Sequence, residues 1–317
     1  MKLQEIYELA IEKGMEADPR GKEKVKELLK EAEEEYEKAE GKDEEVFDKQ
    51  RLENPYSDSR ILHGDPQTEV NTVIVGVNID TGEIVLTDRL REKGKNIDLI
   101  IGHHPRGLGL TKLHEVMHLQ KDVLTDWGVP VTIADSLMEE RIKEVERKIR
   151  GRNYNQSVDA AKLLDIPMIC IHTPGDNLVE KFLSDKVEEN EFETLGEVID
   201  MLNDIPEYHE ARKCGDGPTI LVGNKDKRAG KVVVEMTGGT EGSKESYEKL
   251  ADAGVGTIIG MHLSEEHRKK VEENHMNYVI AGHMASDSIG LNLFLDELEK
   301  KGIEIIPFSG FIRHSRN

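Results

Sequence analysis

Apolar residues along this chain follow two rhythms. Short β-prone runs fall at Val70–Ile79, Ile97–Gly102, Val129–Ala134 and Pro167–His172, then at Thr219–Val222, Lys231–Met236, Val255–Gly260, Tyr278–Gly282 and Ile303–Pro307. Runs of this length bounded by turn residues predict buried strands. Between most of them the apolar spacing changes to three and four, as in 195–202, 244–253 and 289–301, which predicts helices. Strands alternating with helices imply an α/β fold, with mixed or parallel sheets flanked by helices.

At 317 residues the chain is long enough for two lobes, each with its own core. Residues 1–53 place sparse apolar positions (Leu3, Ile6, Tyr7, Ala10, then Val25, Leu28 and Leu29) among Glu and Lys, and read as a helical N-terminal appendage. Residues 54–178 read as a first α/β lobe, into which 135–165 insert a highly charged helical hairpin. Residues 179–230 read as a connecting segment, and 231–317 as a second α/β segment that completes the site.

Composition narrows the function classes. Aromatics are only 4% against 37% hydrophobic residues, so the cores are aliphatic. A net charge of -21 repels phosphate backbones and anionic membranes, which argues against general nucleic-acid binding and for a small-molecule substrate. Two cysteines, Cys170 and Cys214, form no disulfide framework and no thiolate metal site, and point to a reducing cytoplasm. No apolar run approaches the roughly 18 residues of a membrane span.

The candidate chemistry sits where strands stop. Asp98-Leu-Ile-Ile-Gly-His103-His104-Pro105 ends an apolar run in two adjacent imidazoles. Neighbouring side chains on a strand point to opposite faces, so the pair suits two neighbouring ions better than one. Pro167-Met-Ile-Cys-Ile-His172 runs into Thr173-Pro174-Gly175-Asp176, and Tyr278-Val-Ile-Ala-Gly282 into His283-Met-Ala-Ser-Asp287. In the last, one helical turn brings His283 and Asp287 to the same face. Imidazoles with carboxylates make a donor set for Zn, Fe, Mn, Co or Ni, and a carboxylate can bridge two ions.

These motifs resemble the Nif-three-like family of dinuclear metal-centre proteins, also called the GTP cyclohydrolase I type 2 family. The likeness rests on Asp98–Pro105, His172–Asp176, the Gly-rich turn Thr237–Gly242 and Gly282–Asp287, and spans roughly 54–317 in order. It implies two divalent metal ions (Zn, Fe or Mn) on His103, His104, Asp176, His283 and Asp287, with Asp287 as the bridge. Two such ions could share and acidify a water, which points to a hydrolase of a small polar substrate such as a phosphoester; the family's label suggests nucleotide or pterin chemistry, and the resemblance implies a homo-oligomer such as a ring of six. Asp287 stands where that family carries Glu, one methylene shorter, and the insertion at 135–165 lengthens the chain before Asp176.

Other features compete for notice. His114-Glu115-Val116-Met117-His118 matches the His-Glu-x-x-His pattern of zinc proteases, with Glu139 or Glu140 as a third ligand. The alternative is a surface helix that buries Leu113, Val116, Met117 and Leu124 and leaves its histidines solvated. The turn Thr237–Ser243 could cradle an anion on its backbone N–H groups. His262, His267, Glu265 and Glu266 are candidates for acid–base work or substrate contact. Cys170 is expected to pack, and His172 to orient a ligand. A non-catalytic metal-binding regulator or scaffold is the alternative to an enzyme.

Overall fold

The computed structural model describes every residue, Met1–Asn317. Helix α1 (Leu3–Glu16) leads to α2 (Lys22–Lys38) and the short α3 (Lys42–Val46). Two sheets follow, and the chain does not build them one after the other. Strands β1 (Arg60–His63), β2 (Thr72–Gly76), β3 (Leu99–Gly102) and β4 (Met168–Cys170) lie in the order β1-β4-β3-β2, with α4 (Thr81–Glu92) between β2 and β3. Between β3 and β4 stand five helices: α5 (Gly107–Thr111), α6 (Leu113–Val116), α7 (Leu119–Asp126), α8 (Val131–Ile149) and α9 (Gln156–Leu163).

Helices α10 (Thr173–Glu188), α11 (Leu195–Asn203) and α12 (Pro206–Lys213) carry the chain to β5 (Thr219–Val222). The second sheet adds β6 (Lys231–Glu235), β7 (Val255–Gly260) and β8 (Asn277–Ile280), with α13 (Ser246–Asp252) and α14 (Glu265–Glu273) between them. Its order, β5-β8-β7-β6, repeats that of the first. In each, an antiparallel edge strand pairs with the last of three parallel strands consecutive in the chain, β2–β4 in the first and β6–β8 in the second. Helix α15 (His283–Lys300) and β9 (Glu304–Pro307) close the chain, β9 returning to pair with β2 of the first sheet. The stretch 231–317 thus serves both sheets, and β5, within 179–230, belongs to the second.

Helices α10 and α15 form the layer between the sheets. Leu291, Phe294, Leu295 and Leu298 of α15 pack with Val73, Val75, Leu99 and Ile101 of the first sheet. Ala285 and Ile289 of the same helix pack with Val179 and Leu183 of α10 and with Val234, Ile259 and Val279 of the second sheet. Helices α4 and α9 cover the outer face of the first sheet, and α7, α8, α13 and α14 that of the second. No helix is long and apolar enough to cross a membrane.

Two expectations need correction. Residues 1–16 are more than an appendage: Leu3, Ile6 and Ala10 sit in the first-sheet core, whereas α2 and α3 are largely exposed. The run Val129–Ala134 is not a strand, because α8 begins at Val131 behind Pro130. A six-residue apolar run does not by itself separate a strand from a helix start, and proline favours the first turn of a helix.

Candidate metal centre

Three strand ends and two helix starts meet in one place. Gly102 ends β3 and presents His103 and His104; β4 runs into His172 and α10, carrying Asp176; β8 runs into α15, carrying His283 and Asp287. Gly282 makes the last turn possible with φ of 112°, a conformation that glycine adopts without strain. Asp98, at the head of the first motif, holds the sheet together rather than the site. Its carboxylate accepts the N–H groups of Asn71 and Thr72 at 2.8 and 3.0 Å and pins β2 beside β3.

Each imidazole of the first half is committed through Nδ1. His103 donates to the Ile171 carbonyl at 3.0 Å, His104 to Asn78 Oδ1 at 2.8 Å, and His172 to the buried carboxylate of Asp58 at 2.7 Å. With Nδ1 carrying the proton, the Nε2 lone pairs are left for the shared space. His104 Nε2 and His283 Nε2 face each other at 3.3 Å. Asp287 lies among them, Oδ1 at 3.5 Å from His103 Nε2 and Oδ2 at 3.4 Å from both His104 and His283 Nε2. Asp176 Oδ1 is 3.2 Å from His103 Nε2.

This donor set fits divalent cations. His103 Nε2 and both carboxylate oxygens of Asp287 are buried without a hydrogen-bond partner, a costly arrangement unless a cation answers them. Donors held tetrahedrally about 2.0–2.1 Å from an ion stand roughly 3.4 Å from each other, and these pairs are spaced that way. Three groups of donors converge closely enough to hold an ion: His103, Asp176 and Asp287; His104, His283 and Asp287; and His103, His104 and His172. All five sequence-derived candidates are therefore together, and His172 joins them as a sixth donor.

The electrostatics favour positive charge at the bottom of the site. Burial would lower the pKa of His103, but Asp287 and Asp176 overcome it and push it well up. Burial would raise Asp287, but His103, His104 and His283 hold it far below the carboxylate range. Burial, with His103 alongside, lowers His104 to about 4 despite Asp287.

The centre opens through His104, His172, Asp176, His283 and Asp287 into a cleft of about 570 Å³, while His103 is sealed beneath it. The Gly-rich turn after β6 forms part of the far wall. Its carbonyls are tied down: Gln120 of α7 donates to the Gly238 and Thr240 carbonyls at 3.0 and 2.6 Å, and the Thr237 hydroxyl donates to Asn177 at 2.6 Å. Beside it, Glu241 stands 3.5 Å from His262, whose ring lies 4.9 Å from that of His283. Burial would raise Glu241, but His262, His267 and Ser264 bring it down to about 2; burial and Glu241 raise Glu235 to about 7.

The remaining candidates fall elsewhere. Glu265 and Glu266 are exposed on α14, paired with Arg268 and Lys244. His267 is buried against Tyr247, 3.0 Å from its hydroxyl. Cys170 packs with Sγ on the Asp58 carbonyl, and burial raises its thiol to about 11. Helix α6 stops at Val116, so the protease pattern spans a helix break; His114 and His118 belong to none of the three donor groups, and Glu139 pairs with Lys143. Sequence reasoning missed Asp58 and Asn78, and read Glu241 only as a charge that disfavours phosphate at the turn. Asp58 sits in a segment, Asn54–Asp58, legible only as turn-rich.

No family model matches the sequence, and no curated protein does either. Among solved structures, the chain is similar to a NIF3 superfamily protein from Sphaerobacter thermophilus, with TM-score 0.70 and 26% identity, covering 90% of this chain and 97% of that one. It is also similar to reduced HcgD from Methanocaldococcus jannaschii, with TM-score 0.50 and 15% identity over 78% of this chain and 87% of that one, a likeness of fold.

Proposed function

We propose that this NIF3-like chain is a dinuclear metal-dependent hydrolase acting on a small polar substrate of nucleotide, pterin or phosphoester type. The observation that carries the reading is the convergence of the Nε2 atoms of His103, His104 and His283, the first two fixed by an occupied Nδ1, on the two unpartnered oxygens of Asp287. His103, Asp176 and Asp287 would hold one ion, and His104, His283 and Asp287 the other, with Asp287 shared. A bound divalent pair supplies Lewis acidity, polarising a substrate oxygen and acidifying water near neutral pH.

The chain's own residues prepare the rest. Asp58, Asn78 and the Ile171 carbonyl fix the tautomers and ring planes of His172, His104 and His103. His262, on the cleft wall with Glu241 behind its Nδ1, is placed to hold or release a proton at a substrate atom. Assembly into a ring and residence in the cytoplasm remain part of this reading.

The test combines metal content with turnover. Wild-type protein is expected to carry metal and to hydrolyse at least one member of a nucleotide and phosphoester panel supplied with Mn, Zn or Fe. His103→Ala and His283→Ala are expected to lose both metal and turnover. Metal that survives both substitutions contradicts the site. Metal without turnover on any substrate favours a regulator or scaffold.

A further inference from the structure

The helices between β3 and β4 give the cleft a cationic wall. Helix α8 and the turn after it direct Arg141, Lys148 and Arg152 into the space above the metal centre. Cations gathered on one wall are unexpected in a chain of net charge -21. Their pairing is also incomplete. Arg141 and Lys148 share a single carboxylate, Glu144, at 2.7 Å each, so one positive charge is left over. The two cations hold Glu144 down at about 2. Arg152 has no ion-pair partner and adds a second charge, whereas Arg106, also on the cleft, is matched by Asp80 at 2.9 Å.

Arg141 is held in place. Its Nε donates to the Glu241 carbonyl at 2.9 Å and one terminal nitrogen to Glu144, which leaves other N–H groups of the guanidinium for a ligand. Seven residues of helix separate Arg141 from Lys148, a rise of about 10 Å. Both head groups nonetheless converge on the one Glu144 carboxylate at 2.7 Å, and a phosphate or diphosphate, whose oxygens match forked guanidinium donors, can bridge the same pair. A neutral substrate would leave the surplus charge unanswered, and a bare cation would be repelled by it.

We propose that Arg141, Lys148 and Arg152 form a phosphate subsite, so that the chain takes a phosphorylated small molecule with its phosphate on the α8 wall and its reacting end at His104 and His283. Only the position of the reacting end rests on the metal-centre reading; the subsite stands on the wall's own charge. The substrate is recognised across the cleft, from the insertion on one side and the strand tips on the other.

Calorimetric titration with inorganic pyrophosphate, with metal content measured on the same samples, tests this. Lys148→Ala/Arg152→Ala is expected to weaken pyrophosphate binding by at least about tenfold, the scale of one lost charge-assisted contact, and to leave metal content unchanged. His104→Ala/His283→Ala is expected to lose metal and still bind pyrophosphate. Lys148→Arg/Arg152→Lys should retain binding. Arg152 lies beyond the end of α8, so Arg152→Ala alone serves as the test should the double variant fail to fold. Unchanged affinity in Lys148→Ala/Arg152→Ala, or no wild-type binding up to about 1 mM, overturns the proposal. A wild type that carries no metal but shows the tenfold effect overturns the metal reading and keeps the subsite.

Discussion

His172 shows how much of this site depends on a residue that no motif reveals. Its Nδ1 donates to Asp58, 114 positions earlier in the chain, and the Thr173 hydroxyl donates to the same carboxylate at 2.7 Å. Burial would raise Asp58, but His172 and the Thr173 and Ser59 hydroxyls hold it below its ordinary range, so it accepts as a carboxylate. Asp58→Ala would leave a buried imidazole N–H and a hydroxyl unanswered and free the ring to turn. The expected outcome is a loss of metal affinity of about 10–100-fold with the fold retained, measured by metal titration beside circular dichroism. Unchanged affinity would confine Asp58 to packing. The imidazoles themselves were legible because an apolar run that stops at histidine and proline is a strand tip. Asp58 was not, because partners brought together by tertiary folding leave no local periodicity.

At the scale of elements, the centre is made by two matching strand–helix junctions. Strand β4 leads into α10 as His172-x-x-x-Asp176, and β8 into α15 as His283-x-x-x-Asp287. The helices cross so closely that a Cβ on Gly290 would overlap the Gly175 carbonyl oxygen. Since Gly175 neighbours Asp176 and Gly290 follows Asp287 by one turn, this crossing sets how near the two carboxylates come. Gly290→Ala is expected to cost about 1–3 kcal/mol by overpacking and to reduce metal content, read from denaturant unfolding and metal analysis. Gly82→Ala, at a helical site with nothing within 4 Å, is the control and should be neutral or mildly stabilising. A tolerated Gly290→Ala would remove this role for the crossing. Sequence periodicity located α15 from Ile289, but the helix begins six residues earlier, because Gly282 and the small residues after it carry no apolar stripe.

The whole molecule is two copies of one strand order facing each other across α10 and α15, with the centre between them. The α/β class and nearly every strand could be read from alternation, yet this repetition could not. Five helices separate β3 from β4 in the first half, whereas α14 alone separates β7 from β8 in the second, so the two halves share no common spacing. Nor could the return of β9 to the first sheet be read, since pairing partners are chosen by the tertiary fold. The insertion that hides the repeat is also what gives the cleft its second wall. What the strand tips hold is best tested by anomalous diffraction from crystals of the manganese-loaded protein. Two separate peaks are expected, one among His103, Asp176 and Asp287 and the other among His104, His283 and Asp287, with Asp287 touching both. A cavity without a peak, or ions bound only outside it, would contradict the account.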